Sequence, residues 1–270
     1  MISILKYQFM QNALMAGLVV GVLCSVLSVF VVLRRMAFIG QGIAHAAFGG
    51  IALALLFNLD LYITTTVFCV IIAVLIGITS RKGKLSEDSS IGLFLTTSMA
   101  LGVILLKLRK EYTTDLMGYL FGNILAVSRT DVIRLFVLGI IVLGFVIYYY
   151  RQLQFFTFDE EMAQVSNIPV KFLYYALLVI LAVVIVLSVQ IVGIILVSAF
   201  LIIPATVALL IGRHFLQVML ISIVVGVTST LSGLTFSYYA GMPSGAIIVV
   251  TMFVIFSIVW LIRRFVWKKE

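Results

Sequence analysis

Long apolar runs, separated by short polar or turn-rich segments, repeat along the whole chain. A bilayer core needs about 20 apolar residues per helix, and a backbone in lipid must satisfy its own hydrogen bonds. Nine runs come close to that length: Ala13–Leu33, Ile39–Phe57, Leu61–Thr79, Ile91–Leu106, Val132–Tyr150, Phe172–Val189, Ile191–Ile211, Phe215–Leu231 and Ala246–Ile262. The pattern predicts an all-α fold, a polytopic membrane bundle of eight or nine transmembrane helices.

The sixth and seventh runs join into one apolar stretch, Phe172–Ile211, about twice the length of a single span. Such a stretch must turn back on itself. The turn is predicted within Ser188–Gly193, where Gln190 interrupts the apolar run.

Composition supports a membrane protein, since 64% of the 270 residues are hydrophobic and only 10% are charged. The formal net charge of +8 comes from short basic clusters that lack the basic-aromatic pattern of a nucleic-acid-binding face. When the C-terminal basic residues are placed in the cytoplasm, most of the 18 Lys and Arg residues fall on that side. We therefore expect an external N-terminus and a cytoplasmic C-terminus.

Two polar segments interrupt the spans. The external segment 107–131 contains a short apolar stretch, Leu116–Val127, which is predicted to be a re-entrant or interfacial helix. The cytoplasmic segment Arg151–Lys171 contains Asp159, Glu160 and Glu161 followed by Pro169, which predicts a short helix on the inner side. No internal repeat is visible, so residues 1–270 are interpreted as one domain.

The chain carries no phosphate-binding loop, zinc-protease motif or serine-nucleophile motif, which argues against an enzyme. None of the 10 acidic residues lies near the middle of an apolar run, so a proton-coupled mechanism would lack its usual carboxylates. We expect any uphill transport to be driven by a partner. Cys24 and Cys69 lie inside apolar runs without CxxC spacing and are predicted to be core residues.

The stretch "GQGIAHAAFGGIALA" (Gly40–Ala54) places a histidine in a small, apolar helix. Helical spacing puts Gln41, His45 and Gly49 on one face. A neighbouring face carries small residues that allow close helix packing, namely Gly42, Ala46, Gly50 and Ala54. Because polar groups are costly in lipid, Gln41 and His45 should face protein or a water-filled path. His45 is either a metal ligand or a hydrogen-bonded structural residue.

Four segments resemble one transporter family: "RRMAFIGQGIAHAAFGGIALA", "YLFGNILAV", "IVGIILVSAFLIIPATVALL" and "LTFSYYAGMPSGAIIVV". In this order they are similar to the permease subunits of the ABC-type zinc and manganese importers, the ABC-3 family, with the zinc permeases as the nearest match. The resemblance extends from about Ala13 to Ile262.

The resemblance implies a homodimer in the bacterial cytoplasmic membrane, with two cytoplasmic ATPase subunits and an extracytoplasmic metal-binding protein as partners. It implies a fold similar to the vitamin B12 importer, and no permanently bound cofactor. Zn²⁺ or Mn²⁺ would be the cargo and would pass His45 and Gln41. The outer gate would be the short helix Leu116–Val127, with Leu120 and Phe121 among its candidate residues. Asp115, Asn123 and Asp131 at this external loop either guide cations electrostatically or solvate a surface, and the surface role is favoured.

The inner segment resembles the coupling segment of the family, which docks into the ATPase. Its candidate residues are Asp159, Glu160, Glu161, Ala163, Asn167 and Pro169. Asn167 stands where many relatives have Gly. Pro204 is predicted to kink its helix, and Ser198 could satisfy a backbone carbonyl that the proline frees.

Two positions depart from the family pattern. Many members have Asp at the positions of Gln41 and Gly241. Manganese favours carboxylate oxygen more than zinc does, so the loss of both carboxylates favours either zinc over manganese or a pathway that passes ions with little binding. Two other functions stay open from the sequence: a secondary cation transporter that needs no ATPase, and a membrane scaffold in which His45 only packs.

Overall fold

The computed structural model describes residues 7–83, 85–108 and 124–266. A short 3-10 helix covers Ile124–Ala126, and the other regular elements in these ranges are α-helices. Their bounds are α1 (Gln8–Leu33), α2 (Ile39–Phe57), α3 (Leu61–Lys82), α4 (Glu87–Leu108), α5 (Arg129–Tyr148), α6 (Tyr150–Phe158), α7 (Glu160–Val165), α8 (Val170–Val192), α9 (Ile194–Phe200), α10 (Ile203–Ile211), α11 (Phe215–Ala240) and α12 (Ser244–Val266).

The predicted spans are confirmed. Within the described ranges, nine helical segments are long and apolar enough to cross a membrane, and each overlaps one of the runs read from the sequence. The seventh, Ile194–Ile211, combines α9 and α10. The long apolar stretch turns at Gly193, where a φ of +90° favours glycine and separates α8 from α9.

Two groups of helices form compact units. The first unit contains α1, α5 and α9 to α12, and the second contains α2 to α4, α6, α7 and nearly all of α8. The single domain expected from the sequence stays a prediction.

In the first unit, small residues bring α1 and α11 into close contact. A Cβ added at Gly226 would collide with Ser25 Oγ and lie 2.9 Å from the carbonyl oxygen of Gly21. Beside this contact, Ser222 Oγ donates to the Ser25 carbonyl at 2.7 Å and lies 3.1 Å from Ser28 Oγ. Hydroxyl hydrogen bonds and backbone packing hold helices together where lipid offers no hydrophobic driving force.

In the second unit, glycines let α2 contact α3 and α4. A Cβ at Gly50 would lie 2.9 Å from Thr65 Cα in α3, and one at Gly49 would lie 2.8 Å from the Ser98 carbonyl oxygen in α4. A Cβ at Gly42 would collide with Ile91 of α4. The small face predicted for this helix is therefore confirmed, and Gly42, Ala46, Gly50 and Ala54 are all buried.

Pro204 marks a break between two helices. Helix α9 ends at Phe200, and α10 starts at Ile203 with Pro204 in its first turn, where a proline's missing N–H has no partner to lose. The role expected for Ser198 is wrong, because its buried Oγ has no hydrogen-bond partner among the described residues. Nearby, Thr206 Oγ1 donates to the Ile202 carbonyl, one turn back in the chain, at 2.8 Å.

Helix α11 continues well past the predicted end at Leu231, to Ala240. Its later hydroxyls bond back to the helix itself: Ser232 Oγ donates to the Thr228 carbonyl at 2.5 Å, and Thr235 Oγ1 donates to Leu231 at 2.6 Å. These polar side chains are satisfied one turn back, so they do not end the helix.

Replacement of Gly226 by Ala should destabilise the first unit, because the new methyl group cannot avoid the Gly21 carbonyl. Overpacking of this kind costs about 1–3 kcal/mol. Thermal unfolding of the purified protein in detergent would measure the loss. Gly144→Ala in α5 is the matched control, because a Cβ there meets nothing within 4 Å. Equal melting temperatures for the two variants would contradict the close contact.

Candidate functional site

One stripe of α2 stays open in the chain. Between Ile39 and Ala52 every residue is buried except Gln41, which is exposed, and His45 and Phe48, which are half-buried. These positions are spaced i, i+4 and i+7, so they follow a single line along the helix. The rest of this segment of α2 packs within the protein, and the two polar side chains lie on its only open line.

The face predicted from the sequence needs one correction. Gly49 was grouped with Gln41 and His45, but it is buried against Ser98 and Phe68. A second step of four residues rotates the position further around the helix, because 3.6 residues make one turn. Phe48, and not Gly49, therefore continues the line of Gln41 and His45.

The stripe carries two neutral donor groups. His45 offers an imidazole nitrogen and Gln41 an amide oxygen, both of which can bind divalent transition metals. Within residues 7–83, 85–108 and 124–266, no cluster of three or more His, Cys, Asp and Glu side chains could hold a metal ion. Along this line of α2, the described donor groups are therefore the His45 imidazole and the Gln41 amide.

Position 241, singled out in the sequence as a departure from the expected family pattern, has a structural role in this chain. Gly241 is the C-cap of α11 with a φ of +65°, and its backbone N–H donates to the Ser237 carbonyl. Glycine adopts this left-handed conformation at little cost. It is exposed and contributes no side-chain ligand.

The acidic segment that was predicted to lie on the inner side forms the short helix α7. Asp159 is its N-cap, and its Oδ1 accepts a hydrogen bond from the Met162 amide at 2.9 Å. Glu160 and Glu161 occupy the first turn, where a negative charge is favourable at a helix N-terminus. Ala163 is fully buried and fixes one side of the helix to the protein.

The end of α7 explains the asparagine at position 167. Asn167 has a φ of +58°, and its N–H donates to the Gln164 carbonyl while the Ile168 N–H donates to Ala163. This pair of bonds is a Schellman motif, which prefers Gly and accepts Asn at the left-handed position. Pro169 follows, and its carbonyl accepts from Leu173 at the start of α8.

Beyond its buried side, α7 presents a mixed surface to solvent. Met162 and Val165 are exposed apolar side chains on this helix, and Phe158 just before it is exposed as well. Glu161 lies exposed between them. An apolar patch with one acidic residue is the kind of surface that protein partners cover.

Of the predicted outer-gate residues, only Asp131 lies in the described part. The Asp131 N–H donates to Ser128 Oγ at 3.2 Å and the Ser128 N–H donates to Asp131 Oδ2 at 3.3 Å, a reciprocal pair that forms a capping box at the start of α5. Ser128 Oγ also donates to Asp131 Oδ2 at 2.6 Å. Arg134 lies 3.6 Å from the other carboxylate oxygen. The remaining candidates lie outside the described residues: Asp115, Leu120, Phe121 and Asn123.

Three residues that sequence reasoning did not assign to the site form a series of contacts that begins at α7. Arg81, at the end of α3, forms an ion pair with Glu160 and lies with its Cζ 4.2 Å from the centre of the Tyr174 ring. The Tyr174 hydroxyl donates to Glu87 Oε1 of α4 at 3.4 Å. Arg81 was counted only as a topology signal, and no local pattern links it to Glu160.

The arrangement of helices and motifs has known counterparts. The sequence profile of the ABC 3 transport family matches residues 6–263. The chain belongs to the ABC 3 transport family. Manganese transport system membrane protein MntC of Halalkalibacterium halodurans is 38% identical to it over 95% of the chain and 88% of that relative. MntC of Listeria monocytogenes is 35% identical over 96% of the chain and 92% of that relative.

Solved structures confirm the all-helical transporter fold of this ABC 3 family member. PsaBC from Streptococcus pneumoniae, in complex with Fab, is similar with a TM-score of 0.86 at 34% identity, covering 99% of this chain and 97% of that one. An inward-facing metal-chelate type ABC transporter has a TM-score of 0.75 at 18% identity, with 93% and 85% covered. This second likeness shows the fold alone.

The left-handed backbone at position 167 predicts which substitutions this position accepts. Asn167→Val should loosen the end of α7, because a β-branched residue at this φ costs about 1–2 kcal/mol. Amide hydrogen exchange in Glu160–Val165 should then be roughly five to thirty times faster. Asn167→Gly is the matched control and should keep the parent rate. A Val variant with unchanged exchange would contradict the left-handed turn.

Proposed function

We propose that the protein is the transmembrane permease subunit of an ATP-driven importer of divalent transition metal ions. The family match supports a transport role. The observation that supports a metal substrate is the open line on α2, where Gln41 and His45 are the polar side chains of a segment, Ile39–Ala52, that is otherwise buried except for Phe48. The transported ion would pass along this line.

The power source would be a separate subunit. The chain itself would hydrolyse no ATP, and cytoplasmic ABC ATPase subunits would dock on the exposed surface of α7. An extracytoplasmic metal-binding protein would deliver the ion. The protein would lie in the bacterial plasma membrane, surrounded by lipid, with its C-terminus in the cytoplasm.

A second copy of the chain would complete the site. One copy offers an imidazole and an amide, while divalent transition metals take four to six ligands. Two copies that face each other along α2 would bring two histidines and two glutamines to the ion, with water as the remaining ligand. The site would carry no negative charge, which favours passage over tight retention.

Manganese is the first substrate to test. The MntC relatives are named for manganese, and the amide oxygen of Gln41 is a hard donor that this ion accepts. Zinc is the second, because a histidine site without carboxylates suits zinc well. The relatives thus outweigh the preference for zinc drawn from the missing carboxylates.

Uptake by single-site variants tests the metal path. In proteoliposomes that hold the permease with its ATPase, His45→Ala should lower manganese uptake by at least about tenfold, because ligand-shell changes cost 10–100-fold. Gln41→Asp should raise the ratio of manganese to zinc uptake. Leu53→Ala, on the same helix but off the polar line, is the control. Unchanged manganese uptake in His45→Ala would contradict a role of His45 in the metal path and would indicate that the histidine only packs.

The energy source is tested separately. Permease reconstituted without ATPase should move no metal against a gradient, and addition of the ATPase subunit with ATP should start uptake. Uptake by the permease alone would instead indicate a secondary transporter.

A further inference from the structure

The coupling helix α7 is tied to the end of α3 by one ion pair. Glu160 is the first residue of α7, and its carboxylate meets the Arg81 guanidinium in the last turn of α3. The two side chains are only 22% and 29% exposed. This partial burial limits screening by salt, so the pair is better suited to hold a fixed geometry than a surface pair.

Tyr174 makes this contact part of a larger cluster. The tyrosine is 1% exposed, its ring lies under the Arg81 guanidinium, and its hydroxyl reaches Glu87 at the start of α4. Helix α3 approaches α8 closely at Gly77, where a Cβ would lie 3.1 Å from Tyr174 Cε1. Arg81 is therefore held from two sides, by a carboxylate and by an aromatic face.

The two helices held by this cluster, α3 and α4, pack against α2, the helix that carries the candidate metal line. Helices α3 and α4 both contact α2 through Gly50 and Gly49, with little space for independent movement. Displacement of α7 would pull on Arg81, and the tightly packed α3 would carry that displacement to α2. Packed helices transmit shifts because close-packed interiors deform little.

We infer that Arg81, Glu160 and Tyr174 form a mechanical joint that passes ATPase-driven movement of α7 to the helix that carries His45. This inference rests on the proposed function. The three are positioning residues: they touch neither the metal nor ATP. Their loss should uncouple hydrolysis from transport while the docking surface around Met162 and Val165 stays intact.

The test uses the complete transporter in proteoliposomes, with metal uptake and ATP hydrolysis measured together. Arg81→Gln, on α3 and outside the docking segment, should still bind the ATPase subunit and hydrolyse ATP, and Glu160→Gln removes the other half of the pair. Metal moved per ATP should fall at least about fivefold, the lower end of typical coupling between sites. The double variant should lose no more than either single variant, because both remove the same pair. Arg81→Lys, which keeps the charge, should retain most of the coupling.

Arg263→Gln is the matched control, since Arg263 is an exposed arginine on α12 and lies outside the cluster. Its ratio of metal to ATP should equal that of the parent. Parent-like ratios in both single variants, or losses that multiply in the double variant, would overturn the joint. Failure of the parent complex to transport metal with ATP would instead overturn the proposed function.

Discussion

Close packing of α2 against α3 and α4 determines which side chains of α2 stay accessible to an ion. At Gly42, Gly49 and Gly50 the facing atoms of α3 and α4 occupy the space that a Cβ would need. A larger residue at any of the three would push the helices apart. Because α2 is enclosed in this way, the residues of Ile39–Ala52 that remain accessible are Gln41, His45 and Phe48. The candidate metal path is thus a consequence of packing.

The same packing joins the two ends of the proposed mechanism. A transporter must let a cytoplasmic event change a distant ion path, and that requires a chain of contacts with little slack. Here, Glu160 meets Arg81 on α3, and α3 contacts α2 near Gly50. The neutral donors Gln41 and His45 are consistent with this proposed coupling, because a weakly bound ion can be released when the helices shift.

Different parts of the structure followed from the sequence to different degrees. Hydropathy predicted all the spans, because each span must be apolar by itself, and Gly193 lay within the predicted turn. The end of α11 was missed because its hydroxyls bond to their own helix. The contact between Arg81, Glu160 and Tyr174 could not be predicted from the sequence, because it depends on how α3, α7 and α8 pack. Position 167 did carry a local signal, because the resemblance noted in the sequence places Gly there. A left-handed backbone favours Gly or Asn, and Asn167 has that backbone.

The central claim is that Gln41 and His45 face an aqueous ion path, and cysteine accessibility in membranes tests it most directly. Gln41→Cys and His45→Cys would be made in a chain whose Cys24 and Cys69 are replaced by Ser, with Ile43→Cys and Phe253→Cys as buried and exposed apolar references. In the assembled transporter, a water-soluble thiol reagent should label positions 41 and 45 but neither reference, and added metal should slow that labelling. Labelling of 41 and 45 only by a lipid-soluble reagent, as expected for Phe253→Cys, would contradict the account.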